Sequence, residues 1–394
     1  FPLWVVLSVS VSLAVRWAGF HSGLAMPGMR ATTRVLADDP SFVLVPLVLV
    51  AVAGAAYHCG VLWGCGQVIP GDMDRHHLDP TLRTIGPPFG PLLHLPLWLL
   101  VALLPLPLLL LGQGPGLFWA GALVYALAYL PVAAYRQKPL AGWAMLAACA
   151  ALIGLRGSKG DYIYAVLPFL LFTQLRLGPR RAARAPRLLA VLAVVALAAV
   201  GTRSAVLRRG ADLRERGLVA HVLLREYGFE VFALLVDRDE RDRVARDGSW
   251  LWGEVKEALP GGLGLGKRRL GTLVARQYLP EDFEIIPEAG FNRFFLFPFF
   301  HDLGYLGVPL GGLLMGLGLA WPYERLRRLA VERRELWPLI LYLPLPVYGE
   351  LLVNGGFSYA AVHVGMAVTP LALAFAVTRS RNLWGDPLPA GASS

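Results

Sequence analysis

His301 and Asp302 stand side by side at the mouth of an apolar, Gly-rich run, in the stretch GFNRFFLFPFFHDLGYLGVPLGGLLMGLGLAW from Gly290 to Trp321. Ionisable side chains beside a membrane-length helix are costly to place, so they mark a functional site by default. Imidazole and carboxylate are the groups that take a proton from an attacking hydroxyl. Glu288, Asn292 and Arg293 precede them across the aromatic run FFLFPFF, whose ring faces suit sugar rings and lipid tails. A second set of residues offers cations. LRGSKGDY, residues 155–162, squeezes Arg156, Lys159 and Asp161 between two hydrophobic runs, with glycines that allow close backbone approach to a ligand. Arg203 ends another apolar run, and Lys267 and Arg276 lie in or near the Gly-rich stretch GGLGLGKRRLG of residues 261–271. Guanidinium and ammonium groups converging from several elements suit phosphate oxygens.

Competing structural readings accompany each group. Asp302 serves equally as the N-cap of the helix that follows it. Arg156, Lys159 and Arg203 serve as anchors at the level of lipid headgroups. Gly261, Gly266 and Lys267 match part of a P-loop, but Arg268 occupies the place of the Mg²⁺-binding hydroxyl, so nucleotide binding is rejected. Glu350, in LYLPLPVYGELLV, is an acidic residue well inside an apolar run, and with Asn354 and His363 it forms a further candidate binding group. His76 and His77 read as part of a solvated loop. Cys59, Cys65 and Cys149 form no metal or redox spacing and read as small buried residues. No metal and no cofactor is expected.

Composition sets the scaffold that positions these residues. The 394-residue chain is 56% hydrophobic and 16% charged, with mean hydropathy +0.54, far too little charge for a soluble surface of this size. Apolar runs of bilayer length, about 17–25 residues, recur along it. Ten are expected: 1–17, 41–64, 91–112, 117–135, 139–155, 161–177, 186–202, 303–321, 336–353 and 357–378. Backbone in lipid must satisfy itself, and the runs lack strict alternation, so the expected fold is all-α, a polytopic transmembrane bundle. The opening residues read as a span rather than a cleaved signal, and the lack of an initiator Met leaves room for residues before Phe1.

Lys and Arg then orient the bundle, because short cytoplasmic loops collect them. With ten spans, the side carrying 65–90, the loops after the fourth, sixth and eighth spans, and the tail holds 16 basic residues against 7 acidic ones. The formal charge of +10 is therefore a topology signal and not a nucleic-acid footprint. Both termini face the cytoplasm in this arrangement. The opposite side carries the one large hydrophilic insertion, 203–291, with fifteen basic and fifteen acidic residues. Its first part, 212–246, reads as a helix with the stripe Leu218, Val222, Leu223, Val231, Phe232 and Leu235, lying on the membrane surface. The second part mixes short helices with Gly and Pro turns and reads as a lid. The resulting division is 1–202, N-terminal spans; 203–291, outer loop; and 292–394, C-terminal spans and tail.

FFLFPFFHDLGYLGVPLGGLLMG resembles the late aromatic, Asp- and Tyr-Leu-Gly-Val-bearing segment of O-antigen and oligosaccharide repeat-unit polymerases of the Wzy type. LRGSKGD resembles that family's small-Arg-Gly turn, and GSWLWGEVKEALP is similar to its loop helix. Leu303 stands where the family carries an aromatic residue. The resemblance implies a GT-C-like glycosyltransferase of the bacterial inner membrane, working at the periplasmic face without metal or nucleotide sugar. Its donor and acceptor would be oligosaccharides linked to undecaprenyl diphosphate, with a chain-length regulator and a flippase as partners and with membrane lipids around it. Arg156 and Arg203 would bind diphosphate and Asp302 would sit at the acceptor. His301, Glu288, Asn292 and Arg293 join them by position. An O-antigen ligase, acting on the same donor with lipid A core as acceptor, is the neighbouring reading. A secondary transporter predicts charges near midplane instead of at one face, and an inactive scaffold predicts that every outer arginine is dispensable.

Overall fold

A computed structural model describes residues 14, 39–66, 129–135, 138–156, 169, 172–173, 228–241, 249–258, 294–333, 338, 342, 357, 360–361, 363–370 and 372. Among the described residues every regular element is a helix. A short 3-10 turn, Pro40–Val43, leads into α1, Leu44–Cys65; then come α2, Pro139–Arg156; α3, Gly228–Arg241; α4, Trp250–Ala258; α5, Phe297–Leu303; and, after the 3-10 turn Gly304–Leu306, α6, Gly307–Arg333. Two stretches, Ser41–Cys65 and Phe297–Arg333, are long and apolar enough to cross a membrane. The expected runs 41–64 and 139–155 coincide with α1 and α2. The expected runs 91–112 and 186–202 lie outside the described residues, and 1–17, 117–135, 161–177, 336–353 and 357–378 are described only in part.

The chain divides into two compact units. The first takes in Phe1–Val68, Leu207–Glu324 and Tyr348–Val362, and the second Ile69–Val206, Arg325–Val347 and His363–Ser394. In the second, Tyr135 meets Phe169 and Phe172 edge-on at 5.8 Å each, and Trp143 meets Phe169 at 5.0 Å. Gly142 lets α2 lie against the backbone of Tyr135, where a Cβ would approach to 2.8 Å. Small-residue contacts of this kind substitute for the hydrophobic effect between helices in lipid.

In the first unit, α1 and α6 are pressed backbone to backbone. A Cβ built on Gly312 would run into the carbonyl of Ala53, one on Gly316 into the carbonyl of Tyr57, one on Gly60 into the carbonyl of Leu313, and one on Gly64 would come within 2.9 Å of the Trp321 amide. Both helices contribute the spacing Gly-x-x-x-Gly, which aligns two gaps on one face. Partner numbers rise together along both chains (Ala53 with Gly312, Tyr57 with Gly316, Gly64 with Trp321), so the two helices run parallel. Their opposite faces carry exposed apolar side chains, among them Leu44, Val48, Val52 and Trp63 on α1 and Leu310, Leu314 and Trp321 on α6.

Three expectations are corrected here. The run expected at 303–321 becomes helical earlier: α5 begins at Phe297, with Pro298 in its first turn, where a missing N–H costs nothing. Gly304, at φ 62, ends α5 in a backbone region closed to most L-residues and re-aims the chain into α6. The apolar stripe of the insertion helix, expected against the membrane surface, is covered by protein over its described part. Phe229, Phe232, Leu235 and Val236 of α3 are buried in the core, where Phe229 meets Phe294 at 5.7 Å and Phe232 meets Phe300 at 5.9 Å. Leu218, Val222 and Leu223 lie outside the described residues. The cysteines are free, and Cys149 is buried as expected, but Cys59 is exposed on the outer face of α1.

Candidate functional site

Four donors converge on one carboxylate. The Asp302 Oδ1 accepts the Trp250 backbone N–H at 2.8 Å and faces the His301 Nδ1 at 3.1 Å. Its Oδ2 accepts the Leu251 backbone N–H and the Ser249 hydroxyl, each at 2.8 Å. A carboxylate has about four lone-pair positions, and all are taken.

The donors come from the start of α4. The first N–H groups of any helix lack partners within it. Ser249 caps α4 in the ordinary way, its Oγ accepting the Trp252 N–H at 3.1 Å. Asp302 supplies the acceptors for the two preceding amides from 51 and 52 residues away, and its negative charge sits at the positive end of the α4 dipole. Asp302 is thus a helix cap, but not of its own helix: it lies in the last turn of α5 and caps α4. This corrects the N-cap expectation. It also alters Asp302 as a proton acceptor, because a fully coordinated carboxylate has no free lone pair for a hydroxyl. Three N–H or O–H donors from α4 and its cap favour its ionised form.

His301 is 1% exposed. Trp250 lies 5.1 Å from its ring and Phe297 stacks on it at 6.1 Å. With Asp302 accepting at Nδ1, the neutral imidazole carries its proton there and keeps the Nε2 lone pair. Phe297 and Phe300 are fully buried and Phe294, Phe295 and Phe299 nearly so, their edges packed on one another and on Trp250, α3 and Phe357. The aromatic run therefore forms core, and does not present ring faces to a sugar or lipid.

The remaining sequence candidates divide by what is described. Arg156 is the last residue of α2 and not part of a loop. Lys159, Arg203, Lys267, Arg276, Glu288, Asn292, Arg293 and Glu350 lie outside the described residues. No protein-family model, curated protein or solved structure matches this chain. Among the described residues no three His, Cys, Asp or Glu side chains cluster as a metal site would require.

Two residues that sequence reasoning passed over belong to this constellation: Ser249 and Trp250. Glu254 is 2% exposed and lies one helical turn beyond Trp250, on the same face of α4. Ser249 had a readable signal, a hydroxyl residue directly before a helical run. Trp250 and Glu254 share an i, i+4 face, but nothing local shows what covers it.

Proposed function

We propose that this chain is a membrane-embedded glycosyltransferase that extends oligosaccharides linked to undecaprenyl diphosphate at the periplasmic face of the bacterial inner membrane. The observation carrying this reading is the enclosed His301–Asp302 pair at the head of a membrane-length helix, fastened to a helix of the largest hydrophilic insertion. An ionised group at such a place carries a desolvation cost that function repays. The likeness of residues 150–320 to Wzy-type polymerases, and the cation-bearing stretches around Arg156, Lys159, Arg203, Lys267 and Arg276, support it.

In this reaction the acceptor hydroxyl attacks the anomeric carbon of the donor sugar, the bond from that carbon to the diphosphate oxygen breaks, and the hydroxyl proton passes to a base. The departing diphosphate keeps the bond's electron pair, and Arg156 and Arg203, aided by Lys159, Lys267 and Arg276, offset its charge. Asn292, Arg293 and Glu350 bind sugar and carrier. His301 takes the proton at Nε2, and Asp302 acts through it by holding Nδ1–H, with Glu288 as the further carboxylate.

Deleting the protein in its host and resolving the surface glycan by size tests the reading. A ladder that collapses to a single repeat is expected. Loss of glycan from the core acceptor, with long lipid-linked polymer accumulating, would assign a ligase instead. An unchanged ladder would reject both. Within the polymerase reading, Arg156→Ala and Arg203→Ala abolish polymer at unchanged protein level, and wild-type polymer in both would overturn the diphosphate assignment.

A further inference from the structure

Trp250 and Glu254 point α4 into the protein, and its opposite face presents Trp252, Val255 and Lys256. The Trp252 ring is 52% exposed, and the Lys256 ammonium stands 5.7 Å from its centre. A helix already packed on the core through its other face gains nothing in water from a tryptophan and a valine there. Across the Asp302 joint the chain repeats the pattern. Leu303, the next residue, is exposed, as is Tyr305, and Leu306 at the end of the 3-10 turn is 81% exposed. Exposed apolar side chains gathered in this way mark a surface that something covers.

We propose that the outward face of α4 and the turn Gly304–Leu306 form a membrane-surface contact, seated in the phospholipid headgroup layer at the mouth of α6. Depth carries the argument. Between Asp302 and Glu324 every residue, 303 to 323, is uncharged, so the hydrocarbon core has one place to lie along this stretch. From Leu306 to Glu324 the helix rises about 27 Å at 1.5 Å per residue, against a hydrocarbon thickness of about 30 Å. With Glu324 at one boundary, Leu303, Tyr305 and Leu306 therefore fall at the other. Asp302 stands at headgroup level, and its bonds to Ser249, Trp250 and Leu251 hold the start of α4 at the same level.

The chemistry of the exposed residues fits that layer. Trp and Tyr gather at membrane interfaces because each joins an apolar ring to a polar N–H or O–H. Lys256 offers an ammonium to headgroup phosphates while its methylene stem tolerates the apolar side of the layer. Leu306 belongs just inside the hydrocarbon, where its exposure carries no cost. The contact rests on Phe297–Arg333 crossing the membrane, and it deepens the proposed function: α4 would hold His301 and Asp302 at the depth where the phosphates of a lipid-linked substrate lie.

Spin-label accessibility in reconstituted bilayers of phosphatidylethanolamine and phosphatidylglycerol tests it without any glycan readout. Cys59, Cys65 and Cys149 are replaced by Ala, and one label is placed by Val255→Cys, Leu306→Cys, Leu314→Cys or Glu332→Cys, all at exposed positions. Labels at 255 and 306 should collide with oxygen in preference to a water-soluble nickel chelate, at a depth between the lipid-facing 314 and the aqueous 332. An aqueous reading at 255 and 306 with 314 in lipid overturns the contact and leaves the span standing. An aqueous reading at 314 as well overturns the span, and the contact with it. Labels at 255 and 306 that are immobile and shielded from both reagents overturn the lipid contact and assign the face to a protein partner. If the cysteine-free chain fails to accumulate, the emission difference between the natural chain and Trp252→Phe reports Trp252 alone. Lipids brominated on acyl carbons near the headgroup should quench that difference, and a difference they leave intact overturns the contact.

Discussion

At the residue scale, Asp302 shows how one carboxylate ties two helices that are distant in sequence. It accepts three hydrogen bonds from Ser249, Trp250 and Leu251 and holds the adjacent His301. Hydrogen bonds to a charged acceptor contribute about 1.5–3 kcal/mol each and are not additive. Asp302→Ala leaves two amides of α4 without acceptors and is expected to lower the thermal unfolding temperature of the solubilised protein. Ser249→Ala removes one cap and costs about 1 kcal/mol, so its shift should be visibly smaller. An equal shift in both would show that Asp302 is not the principal acceptor. His301→Asn preserves a donor toward Asp302 but lacks the Nε2 lone pair. Under the proposed function it should keep the unfolding temperature and reduce polymer synthesis by about 100-fold or more, the range of general-base contributions. Normal synthesis by that variant would remove His301 from the chemistry. That His301 and Asp302 stand beside an apolar run was legible in the sequence. That Asp302 caps α4 was not, because its donors lie 51 to 53 residues away.

At the element scale, glycine spacing decides which helices meet. Gly312 and Gly316 face carbonyls of α1, whereas Gly318, on the same helix, has nothing within 4 Å of a built Cβ. Gly312→Val and Gly316→Val should each destabilise the pair by at least the ~1–3 kcal/mol typical of overpacking, since backbone cannot move aside as a flexible side chain does. Gly318→Ala should be neutral or stabilising by up to about 1 kcal/mol from helix propensity. Detergent-resistance and yield of the three variants give the comparison, and equal behaviour would mean that the contact is not close in the membrane. The apolar pattern showed α1 and α2 almost to the residue, because a run of bilayer length is a signal counted along the chain. It misplaced the start of α5 and the setting of α3. An amphipathic stripe is the same whether lipid or Phe294 and Phe300 cover it, and only the packed chain shows which.

At the scale of the whole molecule, alternative topologies differ in parity. In the expected ten-span arrangement, dropping one of the weaker apolar runs, such as 161–177, would move the insertion to the cytoplasm. Labelling of single cysteines, placed by Ser41→Cys, Ser249→Cys or Glu332→Cys, with a membrane-impermeant maleimide distinguishes these arrangements: label in sealed cells is expected at the first two, and label at 41 and 332 from the same face would overturn the ten-span arrangement. Composition alone indicated the class of this protein, helices long and apolar enough for a bilayer, because transfer free energy is summed over residues regardless of their partners. It also marked His301 and Asp302, since an ionisable pair beside an apolar run is costly wherever the run packs. Tertiary structure alone decided that α1 and α6 are parallel neighbours, that FFLFPFF is core, and that Asp302 caps α4. Each of these is a contact between segments far apart in sequence, and its energy depends on which surfaces meet, which no local pattern of residues contains.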